Sequence, residues 1–233
     1  MAKSFEPRLV ELLAPAKDLA TGQAAILHGA DAVYIGAPSF GARASAGVSI
    51  EDIGRLACFA RLYRAKVYVA LNTILYDDEL PEAERIAWEL FRAGADALIV
   101  QDMSLCRLNL PPIALHASTQ CDIRTVEKVR MFESLGYEQV VLARELSLPE
   151  IRKIADSTSV VLEAFVHGAL CVSLSGQCSL PEALTRRSAN RGACAQLCRL
   201  PYTMIDADGK VIRSNQHLLS LKDLNRSAEL ETM

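Results

Sequence analysis

Four cysteines fall within 28 residues, spaced Cys171-x6-Cys178-x15-Cys194-x3-Cys198. Thiolates are soft ligands, and four in one segment can surround a tetrahedral zinc ion or hold an iron–sulfur cluster. The x3 pair fits the short loop spacing of either site, while the x6 pair is wider than zinc fingers usually show. Ser173, Ser175, Gly176 and Gly192 lie among them, which suits a loop wrapping a larger object. On spacing alone both metals stay open. The remaining Cys58, Cys106 and Cys121 are scattered. Cys58 sits on a helical pattern and is expected in the core, where a free thiol behaves as a small hydrophobe.

A basic stretch overlaps the thiols. Thr185 to Arg199 carries Arg186, Arg187, Arg191 and Arg199 and no Asp or Glu, a local charge of +4 in a chain of net charge −3. Guanidinium groups at that density match phosphate or carboxylate, so Arg186, Arg187 and Arg191 are candidates for an anion site. Other chemistry-bearing residues directly follow apolar runs or lie in them. His116 and His167 are candidates for proton transfer, Arg43 and Arg144 for pairing a carboxylate, and Glu145 or Glu163 for orienting one of them. A peptidase would instead need Ser118 or Cys121 activated by His116 or His167, in an order that fits no familiar triad. Four Cys would close a zinc site rather than leave the open position a metallopeptidase needs. Walker, H-E-x-x-H and Gly-x-Ser-x-Gly patterns are missing, and Gly36, Gly41 and Gly47 lack dinucleotide-binding spacing, which argues against a nicotinamide enzyme or a nucleotide hydrolase. His28 is read as a helix cap, and His217 has no evident partner.

These residues must be positioned by a repeating scaffold. Apolar runs at Val10–Ala14, Ala32–Gly36, Lys66–Leu71, Ala97–Val100, Ala114–Ser118, Gln139–Leu142 and Val160–Phe165 read as strands buried on both faces. Amphipathic stretches alternate with them. Ala83, Ile86, Ala87, Leu90 and Phe91 share one helical stripe between Pro81 and Gly94; Ile50, Ile53, Ala57 and Ala60 form another. Ser147-Leu148-Pro149-Glu150 reads as a capping box. Gly29-Ala30-Asp31-Ala32-Val33 and Gly94-Ala95-Asp96-Ala97-Leu98 repeat one helix-to-strand joint, with Gly136 to Val140 a looser copy. The fold class is therefore α/β, an incomplete (β/α) TIM-type barrel of about seven strands, with a doubly wound sheet as runner-up. Residues 1–168 form the barrel units and 169–233 the Cys-rich segment and tail. In such a barrel the strands' C-terminal ends carry the site. No eighth strand is evident, and none is read in Asn225 to Met233. An unclosed barrel exposes strand edges, so pairing with another copy is expected.

The 233 residues are 51% hydrophobic and 23% charged, enough apolar surface to exclude a disordered chain. The acidic balance gives no global field toward nucleic acid or membrane. The first residues lack a secretory apolar core, and the most apolar late stretch, Ala164 to Leu174, falls short of the roughly 20 residues a spanning helix needs. A cytoplasmic, membrane-free location is expected, and in that reducing setting clustered thiols bind metal more often than they pair.

Glu163-Ala-Phe-Val-His-Gly-Ala-Leu-Cys171, Ser175-Gly-Gln-Cys178 and Arg187-Ser-Ala-Asn-Arg-Gly-x-Cys194-x3-Cys198-Arg199 resemble the signature of the collagenase-like peptidase family of unknown catalytic type. Glu11 to Ala16 and His28 to Gly36 resemble it too, so the likeness runs from about Glu11 to Asp223. Leu115 to Arg124 and Val141 to Leu146 look closest to the branch that hydroxylates a cytidine of 23S ribosomal RNA. The resemblance implies a barrel, a 4Fe-4S cluster on Cys171, Cys178, Cys194 and Cys198, and RNA hydroxylation without molecular oxygen. It further implies prephenate as hydroxyl donor and ribosomal RNA or a precursor ribosome as partner, whose phosphate would fill the anion site of Arg186, Arg187 and Arg191. The family's older label implies peptidase activity, and a non-enzymatic zinc or iron–sulfur accessory module is the third expectation. After Leu224 the family continues into a helix and a Lys-Ile-Glu-Gly-Arg-like strand that this sequence lacks, so a truncated chain is expected.

Overall fold

The computed structural model describes residues 10–42 and 47–232. Seven strands, β1 Leu13–Ala16, β2 Ala32–Gly36, β3 Lys66–Leu71, β4 Ala97–Val100, β5 Ala114–Ala117, β6 Gln139–Val141 and β7 Val161–Glu163, form one sheet in chain order. Every neighbouring pair is parallel. The helices α1 Leu19–Leu27, α2 Ile50–Leu62, α3 Leu80–Ala93, α4 Val126–Ser134 and α5 Leu148–Ala155 supply the crossovers, except that a 3-10 turn at Met103–Arg107 links β4 to β5. The result is an incomplete TIM-type barrel. Among the described residues β1 and β7 each have one neighbour, so the sheet does not close on itself.

Each of the seven apolar runs coincides with a strand, with β5, β6 and β7 ending one or two residues earlier than the runs and β1 shifted. β1 begins at Leu13 rather than Val10, and Val10 and Leu12 are exposed. The repeated joint has a physical basis. Gly29 and Gly94 adopt positive φ, which lets the chain leave each helix and turn into a strand. Two residues on, Asp31 takes the Leu12 amide at 2.8 Å and Asp96 takes the Val67 amide at 2.7 Å. The looser copy keeps only the backbone half, Glu138 N–H donating to Leu115 C=O at 3.0 Å. Ser147 and Glu150 form the expected capping box on α5.

Alternation sorts the strand residues into two layers. Val33, Ile35, Val67, Val69, Leu98 and Val100 face outward against Ile53, Leu56, Ile86 and Leu90 of the helices. Ala32, Tyr68, Ala97 and Ile99 face the barrel interior. Cys58 corrects the sequence expectation: it is exposed. The buried face of α2 is Ile53, Leu56, Ala57 and Ala60, and one step beyond Ala57 turns the side chain about 100° away from it.

Beyond β7 the chain changes character. β8 His167–Gly168, α6 Leu180–Thr185, β9 Tyr202–Ile205, β10 Val211–Gln216 and β11 Leu224–Asn225 follow. β9 and β10 form an antiparallel hairpin that the sequence reading did not find, and β11 pairs antiparallel with β8. Asn225 thus lies in a short strand, where none was expected. No helix among the described residues is long and apolar enough to cross a membrane.

Candidate active site

A cavity of about 340 Å³ opens at the C-terminal ends of the strands, its walls including Gly36, Asn72, Ser118, Arg144 and Glu163. Across it lies the Cys-rich segment, and all four of Cys171, Cys178, Cys194 and Cys198 line the same space. None is in a disulfide. Burial holds the Cys198 thiol above its usual range; nearby Arg199 opposes this and the other three thiols add to it. The Gln196 amide donates to Cys194 Sγ at 3.4 Å, a contact that favours a sulfur carrying negative charge. Among the described residues no three His, Cys, Asp or Glu side chains are grouped tightly enough to hold one metal ion. The donor set is four thiols lining one cavity, soft ligands of the kind that an iron–sulfur cluster or a zinc ion takes.

Polar contacts seat this segment on the barrel. Gly176 has φ +71°, and a Cβ there would stand 1.9 Å from the Gln120 carbonyl oxygen, so only glycine permits this approach. Glu145 accepts from the Ser175 amide at 2.6 Å and hydroxyl at 3.0 Å, tying the Cys171–Cys178 loop to the turn after β6. Arg199 donates to the Leu170 and Leu221 carbonyls and to Ser220. Arg191 makes two bonds to Glu79, at 2.9 and 2.6 Å, and one to the Ile74 carbonyl. It is therefore engaged with the barrel, whereas Arg186 and Arg187 are exposed.

Arg144 and Glu163 reach the cavity directly. The Arg144 guanidinium lies over the Phe165 ring at 4.3 Å, and its buried Nε has no hydrogen-bond partner. Glu163 accepts from Gln139 Nε2 at 2.7 Å, and burial pushes its carboxyl up to about 7, opposed by Gln139 and aided by Glu11. His116 sits deeper, against Tyr68 with ring centroids 4.6 Å apart, and does not line the cavity. Burial pushes its imidazole down to about 4, with Glu11 opposing and Lys66 assisting, so it is neutral at pH 7. Glu11 closes this interior column by accepting from Tyr68 at 2.7 Å and Lys66 at 2.9 Å. Tyr68, Gln139 and Glu11 were not singled out in the sequence. For Tyr68 and Gln139 the signal is a polar or hydroxylated side chain on an apolar strand; Glu11 lies two residues before β1.

The remaining candidates fall elsewhere. His167 is exposed on β8 and does not line the cavity, and Glu145 ties the loop rather than orienting a histidine. Arg43 lies outside the described residues. Cys121 is bonded to the Val100 and Gln101 carbonyls, and burial pushes its thiol up to about 12, which leaves no reactive thiolate near neutral pH. Ser118 Oγ accepts from Asn72 and from the Gln120 amide, with no histidine bonded to it. The expected nucleophile–base pairs are not formed. His28 caps α1 through the Ala24 carbonyl, and His217 bonds the Arg199 carbonyl.

Comparison with known proteins gives concordant likenesses. Residues 17–233 match the profile of peptidase family U32. The chain is 57% identical over 221 residues to the 23S rRNA 5-hydroxycytidine C2501 synthase of Escherichia coli, covering 95% of this chain and 34% of that protein. It is 37% identical to tRNA hydroxylation protein P1 of Bacillus subtilis, over 85% of this chain and 48% of that one. To a collagenase of Porphyromonas gingivalis it is 34% identical, over 92% and 55%. The chain thus spans between about a third and a little over half of these relatives. The solved structure of the U32 peptidase Mk0906 superposes with a TM-score of 0.62 at 15% identity, covering 94% of each chain, a likeness of fold.

Proposed function

This chain belongs to peptidase family U32, and from that membership we propose that it is the barrel portion of an oxygen-independent, iron–sulfur-dependent RNA hydroxylase. The proposed substrate is a cytidine of 23S ribosomal RNA, as for the E. coli relative; prephenate is the proposed hydroxyl donor and the cytoplasm the proposed place of action. The observation that carries the reading is the convergence of four unpaired thiols on the strand-end cavity that also holds Arg144 and Glu163.

Cys171, Cys178, Cys194 and Cys198 would hold a 4Fe-4S cluster, which supplies redox and Lewis-acid chemistry when bound. The chain's own residues do the rest. Arg144, stacked on Phe165 with Nη1 on the Ala169 carbonyl at 3.5 Å, offers its remaining guanidinium donors to a carboxylate of the donor molecule. Glu163 holds a proton near neutral pH and can give or take it at the cavity wall. Arg186 and Arg187 are exposed on the Cys-rich segment and suit RNA phosphate. The peptidase alternative has less support, since neither Ser118 nor Cys121 has an activating base.

The test uses the full-length protein purified without oxygen. Four irons and four sulfides per chain, with broad visible absorption, are expected; a colourless zinc protein overturns the reading and favours an accessory metal module. In a strain lacking the gene, rRNA hydroxylation read by mass spectrometry should return with the wild-type gene and not with Cys194→Ala. Full restoration by that variant removes the thiols from the reaction.

A further inference from the structure

We propose that Glu79 and Arg191 form a clasp that holds the Cys194–Cys198 half of the thiol site on the barrel and sets how firmly that half keeps its metal. The metal part of this inference rests on the hydroxylase reading; the clasp itself does not.

The segment has almost no core of its own. Between residues 169 and 200 only Pro181, Ala189 and Gly192 are buried, so apolar packing does little to fix where the thiols stand. Polar contacts must do it. Arg191 lies three residues before Cys194, and both terminal nitrogens of its guanidinium are engaged with the barrel. Nη1 donates to Glu79 Oε2 at 2.9 Å and to the Ile74 carbonyl at 2.8 Å, and Nη2 donates to Glu79 Oε1 at 2.6 Å. The Tyr76 ring covers its plane at 3.9 Å. The Ile74 amide donates back to the Asn190 carbonyl at 3.3 Å. The partners all come from the loop between β3 and α3, where the Tyr76 amide bonds the same Glu79 carboxylate at 2.8 Å and fixes it in place. Arg191 holds the Glu79 carboxyl below the usual carboxylate range.

The other thiol pair is anchored separately, through Ser175 on Glu145 after β6. Two anchors on different strand ends thus bracket the cavity, one for each half of the ligand set. Groups that hold ligands in place commonly govern metal affinity by about 10-fold to 100-fold. Planar two-point pairing over an aromatic ring is a geometry lysine cannot reproduce.

The experiment compares full-length wild type, Glu79→Gln, Arg191→Lys and the swapped pair Glu79→Arg with Arg191→Glu, all purified without oxygen. Iron release to a ferrous chelator is followed optically, and thermal melting is recorded beside it. Glu79→Gln and Arg191→Lys should release iron at least about 10-fold faster at nearly unchanged melting temperature, and the swapped pair should recover part of the loss. Wild-type release rates in both single variants overturn the proposal. If the wild type carries no iron, the cluster reading fails on its own. The clasp is then read by alkylation of Cys194 and Cys198 in the metal-free protein. Faster labelling of those two thiols in Glu79→Gln, with Cys171 and Cys178 unchanged, supports it; equal labelling overturns it.

Discussion

Glu163 sits where a carboxylate is costly, enclosed at the cavity wall with one neutral donor, Gln139, at 2.7 Å. Burial raises its carboxyl from 4.5 to about 7, so the folded state binds a proton there that the unfolded chain releases. The stabilisation from holding that proton is complete below about pH 4.5 and is lost as pH rises through 7. Glu163→Gln should remove this loss, worth up to about 3 kcal/mol. Urea unfolding of both proteins at pH 5 and pH 8 checks it, and an equal change in the two sinks the assignment. His116 works in the opposite direction, losing stability as pH falls from 6.5 toward 4, because its buried imidazole stays neutral. His116→Gln should therefore flatten the acid side of the same profile. Glu163 and Arg144 were legible in the sequence because each follows an apolar run. Arg191 was legible as charge but not as a clasp, because its partner Glu79 is 112 residues away and nothing local links them.

At the scale of elements, the strands were readable because parallel strands covered on both faces are apolar without interruption. The hairpin of β9 and β10 was not, since its strands are largely exposed and mixed in composition. Its one signal was Asp208-Gly209, a dipeptide that favours tight hairpin turns, with Gly209 at φ +82°. The Cys-bearing loop depends on a different glycine. Gly176→Ala would set a methyl group against the Gln120 carbonyl in a left-handed conformation that L residues disfavour by about 1–2 kcal/mol. The loop should detach while the barrel stays folded, seen as faster labelling of Cys171 and Cys178 at an unchanged main melting transition. A fall in that transition of the size caused by a core deletion would show that the loop is part of the barrel's cooperative unit. Phe132→Ala supplies the comparison. Phe132 is 2% exposed, edge-on to Tyr137 at 4.9 Å, and its removal should cost about 3–5 kcal/mol in denaturant unfolding.

For the molecule as a whole, the open sheet is the governing feature. β1 and β7 each lack a second neighbour among the described residues, and Val161 on β7 is 58% exposed. A strand edge this exposed invites pairing. Residues 1–233 alone should associate with rising concentration, and Val161→Lys should reduce that association in sedimentation velocity; equal sedimentation of the two would locate the association elsewhere. The barrel and the stretch from 169 to 200 also differ in what holds them together. Two apolar layers fix the first, and a few hydrogen bonds and ion pairs fix the second. A part without its own interior opens before the rest does. Arg186 and Arg187 stand exposed in that stretch, Arg186 with φ +58° at the end of α6. Trypsin should accordingly nick the native protein there first, leaving a protected fragment that ends beyond the seventh strand and its adjoining thiols, and the speed of that nick becomes a gel-readable gauge of how firmly the Cys-rich segment is seated.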